Sequence, residues 1–149
     1  MTLPWLISSG LGLLLLLVGG WYLFEHFWDR RLFRRGSSED FVANLRAKKA
    51  IRLWRETPGL LVLDVRPAGS WRAGRVPEAV NAPFGMDGEG FEEGSLDDLD
   101  RERPVLVYCD GGFRSRLALT ALREAGFRHI HHLHRGILSW RAAGGDREP

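Results

Sequence analysis

The stretch Pro104-Val105-Leu106-Val107-Tyr108-Cys109-Asp110-Gly111-Gly112-Phe113-Arg114-Ser115 constrains this chain more than any other. Residues 104–108 form a short run rich in branched and aromatic side chains, which predicts a strand buried on both faces. Leu117, Leu119, Ala121 and Leu122 follow as the packing positions of a predicted helix over 115–126, with Gly126 as its stop. A strand that enters a helix through a Gly-Gly turn belongs to a parallel α/β sheet. It also sets Cys109 where the strand ends and the helix is about to begin. Helix N-terminal amides carry partial positive charge and favour a thiolate. Two adjacent glycines let several N–H groups converge on one centre, so the loop suits a sulfur anion and an anionic group beside it.

Cys109 is the only cysteine among 149 residues. The chain therefore has no intramolecular disulfide and no multi-cysteine zinc site. A sulfur or oxidising equivalent loaded on Cys109 has no second thiol within the chain to resolve it and must leave to another molecule. A lone cysteine in a core is an inert hydrophobe; the strand–Gly-Gly–helix setting favours the reactive reading. An apolar share of 44% with 27% charged residues fits one globular domain with an appendage.

The remaining elements read in order. Ser37 and Asp40 make a capping-box-like start, and Phe41, Val42, Leu45, Ile51, Leu53 and Trp54 predict a helix or helix pair ending near Thr57-Pro58-Gly59. Arg46, Lys48, Lys49, Arg52 and Arg55 form its solvated or lipid-facing basic side. Leu60 to Val65 predicts a second strand covered on both faces. Asp64 and Arg66 at its end are expected to pair and tie the strand to neighbouring loops. Pro67 to Gly74 predicts a short helix closed by Gly74, with Trp71 in the core, and residues 79–82 a short strand. Residues 86–100 read as an acidic loop carrying Asp87, Glu89, Glu92, Glu93, Asp97, Asp98 and Asp100. Residues 129–134 predict the last strand. Alternation puts His129 and His131 on one face and His132 and His134 on the other. Two imidazoles per face fall short of a ligand set, so these are expected to be surface histidines with no metal. Residues 137–143 predict a final helix anchored by Trp140, and residues 144–149 are expected to fray.

Four of these stretches, in this order, resemble the rhodanese-like sulfurtransferases. Cys109, Gly112 and Arg114, followed by Ser115, resemble that family's Cys-x-x-Gly-x-Arg-Ser loop. Residues 61–66, Leu-Val-Leu-Asp-Val-Arg, resemble its "LIDVR" strand. Residues 74–83 resemble "GHIPGAINIP", and residues 133–140 resemble "LxGGxxxW". The resemblance covers residues 38–144. It implies a three-layer α/β fold with a mainly parallel central sheet flanked by helices. It also implies sulfane sulfur transfer from thiosulfate or a persulfide to a thiophilic acceptor through a persulfide on Cys109. The amides of Asp110, Gly111, Gly112, Phe113, Arg114 and Ser115 would cradle the anion, Arg114 would add positive charge, and Ser115 would serve as helix N-cap or extra donor. Asp64 and Arg66 would support the site. No cofactor is implied.

Three positions depart from the family pattern. Arg75 stands for a usual histidine. Glu78 stands for a usual glycine, and since a glutamate does not easily take positive φ, a rebuilt turn is expected there. Asp110 follows the cysteine where a basic residue is usual, and its charge disfavours anionic donors such as thiosulfate. These departures favour the alternative, a catalytically weak or inactive binding module on the same fold. Cysteine phosphatase and arsenate-reducing loops resemble Cys-x5-Arg; Arg114 comes one residue too early for that spacing.

Ahead of this domain, Leu3 to Phe24 carries no charged residue. About 22 residues of that kind match the roughly 20 that cross a bilayer as a helix. Trp5 near one end, and Trp21, Tyr22 and Trp28 near the other, suit the interfacial belts. No Lys or Arg precedes the run and no small-x-small site follows it, which favours an uncleaved transmembrane helix over a signal peptide. Arg30, Arg31, Arg34 and Arg35 then place the following domain on the cytoplasmic side, with lipid rather than nucleic acid as their partner. The expected organisation is an anchor with a basic juxtamembrane segment over 1–36 and the α/β domain over 37–149.

Overall fold

The computed structural model describes residues 12–24, 27, 41–87 and 89–149. The chain divides into two units, Met1–Arg35 and Gly36–Pro149. In the first, residues 12–24 are helical (α1), and the side chains of Leu13 to Val18 are exposed. Among the described residues no helix is long and apolar enough to cross a membrane. The rest of the expected span (residues 3–11), Trp28, the arginine cluster at 30–35 and the Ser37–Asp40 helix start lie outside the described residues.

The second unit is built on a five-stranded sheet whose pairs are all parallel. Its strands are β1 (Phe41–Leu45), β2 (Leu61–Asp64), β3 (Val80–Asn81), β6 (Val105–Tyr108) and β7 (His129–Leu133), in the spatial order β1-β7-β6-β2-β3. A small antiparallel hairpin, β4 (Phe84–Gly85) and β5 (Gly90–Phe91), stands apart from it. The helices are α2 (Ala47–Glu56), α3 (Ala68–Arg72), α4 (Phe113–Glu124) and α5 (Gly136–Ala142). Every residue of β2 and β6 is buried, as continuous apolar runs inside a parallel sheet require.

Period-two alternation sorts the sheet into two faces. Val62, Leu106, Tyr108 and Leu133 share one core with Ala47, Ala50 and Ile51 of α2 and Ile137 and Trp140 of α5. Trp140 is fully buried, stacks edge-on with Trp54 at 5.9 Å, and donates its Nε1–H to Asp146 O at 2.8 Å. The opposite face takes α4, whose Ser115, Ala118, Leu119 and Leu122 are buried at i, i+3, i+4 and i+7. Cys109 continues the Val105-Val107 side of β6 and so emerges under α4.

Several expectations are corrected. Residues 41–45 form a strand, not the start of a helix. Phe41, Val42 and Leu45 satisfy either period, and parallel pairing with β7 decides the matter. The segment 86–100 holds β5 rather than being loop throughout. Glu78 does take positive φ, 62°, so this turn keeps a left-handed residue without glycine. Trp71 is only partly buried; its Nε1–H donates to Ala79 O at 2.8 Å and Arg75 lies over its ring at 4.4 Å. The C-terminal stretch is tied rather than frayed: Arg75 and Glu148 exchange backbone hydrogen bonds of 3.0 Å, and the Arg75 guanidinium also donates to Pro149 O.

Candidate active site

Cys109 follows the last residue of β6 and is 4% exposed. The backbone N–H of Gly112 donates to its Sγ at 3.1 Å. Gly112 is the N-cap of α4 with φ 96°, so the turn that aims this amide needs a left-handed residue. A Cβ at Gly112 would also fall 2.9 Å from the Arg135 backbone nitrogen. The other side of the loop is fastened by α5. Ile137 N–H donates to Cys109 O at 2.8 Å, and Leu138 N–H to Asp110 O at 3.2 Å. In a planar trans peptide the following N–H points the opposite way. The amides of Asp110 and Gly111 are thereby directed away from α5. Gly136 makes this approach feasible, and Arg135 ahead of it adopts φ 61°.

Ser115 is not the helix N-cap, which is Gly112; it lies inside the first turn of α4 and is fully buried. Its Oγ stands 3.4 Å from Cys109 Sγ, 3.3 Å from Gly112 O and 3.0 Å from His132 Nε2. Phe113 is 55% exposed at the helix start. Arg114 lines a cleft with Pro67, Pro83, Phe84, Met86 and Glu89 beside the β4–β5 hairpin. The acidic hairpin residues Glu89 and Glu92 thus border the same cleft as Arg114.

Asp64 and Arg66 are buried together. Arg66 donates from Nη2 to Asp64 Oδ2 at 2.7 Å, from Nε to both carboxylate oxygens at 3.0 Å, and from Nη2 to Gly74 O at 2.8 Å. Its remaining arm, Nη1, donates to Asp110 Oδ1 at 3.2 Å. Burial opposes the Arg66 charge, but the bonds and charge of Asp64, with Asp110, more than offset it and hold the guanidinium above its ordinary value. The Asp110 carboxylate, 61% exposed, therefore does not face the sulfur as a lone charge. Tyr108 is pushed up, first by burial and then by the Asp64 charge; its hydroxyl accepts from Val76 N–H at 3.1 Å.

One residue at the site was not foreseen. His132 is fully buried rather than on the surface, because β7 is an inner strand with β1 on one side and β6 on the other. Register places Asn44 and Val107 as its neighbours across the sheet. Its Nδ1 lies 3.0 Å from Asn44 Oδ1. Burial, then the Arg116 charge, pushes His132 down to about 3, so its ring is neutral at physiological pH. Alternation in the sequence groups His132 with His134 but does not say which face turns inward.

A family model for the rhodanese-like domain matches residues 46–143. The chain belongs to the rhodanese-like family. A sulfurtransferase of Allochromatium vinosum is 27% identical over 60% of this chain and 78% of its own length. An HTH-type transcriptional regulator of Mycobacterium tuberculosis is 33% identical over 73% of this chain. The chain spans 45% of that regulator's length. The solution structure of a rhodanese-like domain from Anabaena superimposes with a TM-score of 0.59 at 27% identity, over 75% of this chain and 80% of that one. This rhodanese-like chain shares the α/β architecture of that solved domain, with a mainly parallel central sheet and flanking helices.

Proposed function

We propose that the protein is a sulfurtransferase that carries sulfane sulfur as a persulfide on Cys109. One observation carries this reading: the chain's single thiol receives the Gly112 amide at 3.1 Å, at the N-terminus of a 12-residue helix packed on the sheet. The Cys109 thiolate attacks the outer sulfur of a donor R–S–S⁻ or of thiosulfate. The donor's S–S bond breaks, a Cys109 S–S bond forms, and a thiolate or sulfite leaves with the electron pair. A thiophilic acceptor then takes the outer sulfur and returns Cys109 as thiolate. The loop amides and Arg114 offset the negative charge that passes through the site. Donor and acceptor are a small-molecule or protein sulfur compound. Because Asp110 and the acidic hairpin border the loop, a persulfide suits the site better than thiosulfate.

The test is the intact mass of the full chain after incubation with thiosulfate or a low-molecular-weight persulfide. One added sulfur atom, removed by cyanide as thiocyanate and absent in Cys109→Ser, is the expected result. A second reading, a binding module of the same fold without turnover, is favoured by the 4% exposure of Cys109. No mass gain with any donor would select it.

We also propose that residues 3–24 anchor the protein as a single membrane-spanning helix with the rhodanese-like domain on the cytoplasmic side. The charge-free run and the arginines after it support this. Retention of the full chain in membranes after alkaline carbonate washing is expected. Release into the wash would count against it.

A further inference from the structure

A cleft of about 230 Å³ opens between the β4–β5 hairpin and the start of α4. Its apolar wall includes Pro67, Phe84 and Phe91, the two rings edge-on at 5.0 Å. Its charged groups are Arg114, on the first turn of α4, and Glu89 and Glu92, on either side of β5. Each wall is tied to the surroundings of the sulfur. Pro67 follows Arg66, which bonds Asp110, and Arg114 lies just beyond Gly112, whose amide meets Cys109 Sγ. The hairpin is fastened too: Phe84 N–H donates to Val65 O at 3.2 Å and Glu92 N–H to Pro83 O at 3.1 Å. A ligand held in the cleft has the Cys109 turn at its edge.

The charges share this cleft without neutralising one another. Among the described residues no ion pair joins Arg114 to Glu89 or Glu92. A guanidinium fork is left for a carboxylate on one side, and carboxylates for an ammonium on the other. Size narrows the ligand further. Pockets for drug-sized molecules start near about 300 Å³, so this one suits a molecule no larger than a single amino acid. Thiosulfate has no positive group for Glu89 and Glu92. An α-amino acid carries both charges on one carbon.

We infer that the sulfur donor is an α-amino-acid persulfide, such as that of free cysteine. Its carboxylate meets Arg114, its ammonium meets Glu89 and Glu92, and its S–S group reaches Cys109. Arg114, Glu89 and Glu92 are then specificity-determining residues, an assignment that rests on the reading of Cys109 as the sulfur carrier. The reaction is the transfer already written. Cys109 Sγ bonds the outer sulfur, the donor's S–S bond breaks, and the amino-acid thiolate leaves with the electron pair. No other reactant is needed. The same hairpin acids that disfavour thiosulfate attract the ammonium of this donor.

The test compares three donors on the full chain, by the rate at which intact mass gains one sulfur at subsaturating donor. They are the persulfides of cysteine, of cysteamine, which lacks the carboxylate, and of 3-mercaptopropionate, which lacks the ammonium. With one cysteine in the chain, the added sulfur reports Cys109 alone. Each rate is divided by that donor's rate with a free thiol, which removes differences in leaving ability. Cysteine persulfide is expected to load about tenfold faster than either analogue, the scale of one hydrogen bond to a charged group. Arg114→Met should abolish its lead over the cysteamine donor and keep its lead over the mercaptopropionate donor. Glu89→Gln with Glu92→Gln should do the reverse, and Arg114→Lys should retain part of the first lead. Damage to the fold or to the sulfur chemistry slows all three donors together and leaves the ratios in place. Loading with ratios within about twofold of one, less than a single such bond contributes, overturns the inference and leaves Cys109 a sulfur carrier. Ratios that none of these variants moves do the same. No loading with any donor overturns the sulfurtransferase reading itself, and this inference with it.

Discussion

Gly136 lies so close to the Cys109 carbonyl that a Cβ there would fall 2.2 Å from the oxygen, and 2.4 Å from Asp110 O. Both neighbours are backbone, and φ at Gly136 is 55°, so neither the loop nor the helix start can yield cheaply. Gly136→Ala is expected to push the Cys109–Gly112 turn away from α5 and break the Ile137 and Leu138 amide bonds to it. The protein should lose about 2–4 kcal/mol of stability, the scale of overpacking plus buried bonds left unmade. Sulfur loading of Cys109 should fall at least in proportion. Urea unfolding and intact mass after donor treatment measure the two effects separately.

The Arg66–Asp110 pair bears on which donor the loop accepts. Arg66 reaches Asp110 with its one arm not committed to Asp64 or Gly74, which offsets part of the carboxylate charge but leaves it exposed at the mouth. Asp110→Asn removes that charge with little change of shape. For a dianionic donor such as thiosulfate, kcat/KM is expected to rise about three- to tenfold, the Coulomb effect of one charge at the edge of a solvated site. The gain should shrink as salt is raised toward about 1 M, and a neutral donor should show little of it. Thiocyanate formation at two ionic strengths tests both statements.

Arg66 also carries the stability of the β2 end. Its side chain is 3% exposed and that of Asp64 is fully buried. Arg66→Met would leave the Asp64 carboxylate in the core without its main counter-charge. A loss of about 3–5 kcal/mol is expected, because a stranded buried charge costs more than a broken surface pair. Adding Asp64→Leu removes the stranded charge and should recover a good part of that loss. Denaturation midpoints of the single and double variants give the coupling directly.

What the sequence made legible follows from local signals. The runs at 61–64 and 105–108 are apolar enough to be inner parallel strands. Gly111 and Gly112 mark the turn, and Leu117, Leu119, Ala121 and Leu122 mark a packing helix, although only Leu119 and Leu122 of these are buried and Ser115 and Ala118 complete the inward face instead. Those signals suffice to place Cys109 at a strand–helix junction. What they do not contain is pairing. Phe41 to Leu45 fit a helix as well as a strand until β7 is laid beside them. The same pairing turns His132 inward and brings Asn44 to it, across 88 residues of chain. Arg66 meeting Asp110 likewise depends on β2 lying next to β6, with Leu63 opposite Val107. Non-local register is a property of the assembled sheet, and no single window of sequence carries it.

Burial of His132 makes stability pH-dependent in a definite direction. In the unfolded chain the imidazole titrates near its ordinary value of about 6.5. In the folded protein burial, helped by the Arg116 charge, pushes it down to about 3. Between those values the unfolded state binds the proton and the folded state does not, so stability falls as pH falls. Above the upper value neither form is protonated and the effect is absent. The slope is at most about 1.4 kcal/mol per pH unit for one such group. His131, lowered by burial and then by the neighbouring His129, adds in the same direction. Urea midpoints taken from pH 7.5 down to about 4.5 should therefore drop more steeply for the native chain than for His132→Gln. The variant is expected to be less stable at pH 7.5, since it loses a shaped buried ring, and the gap should narrow as acid is added. Parallel curves would place the proton on His132 in the folded state and contradict a neutral ring at the site.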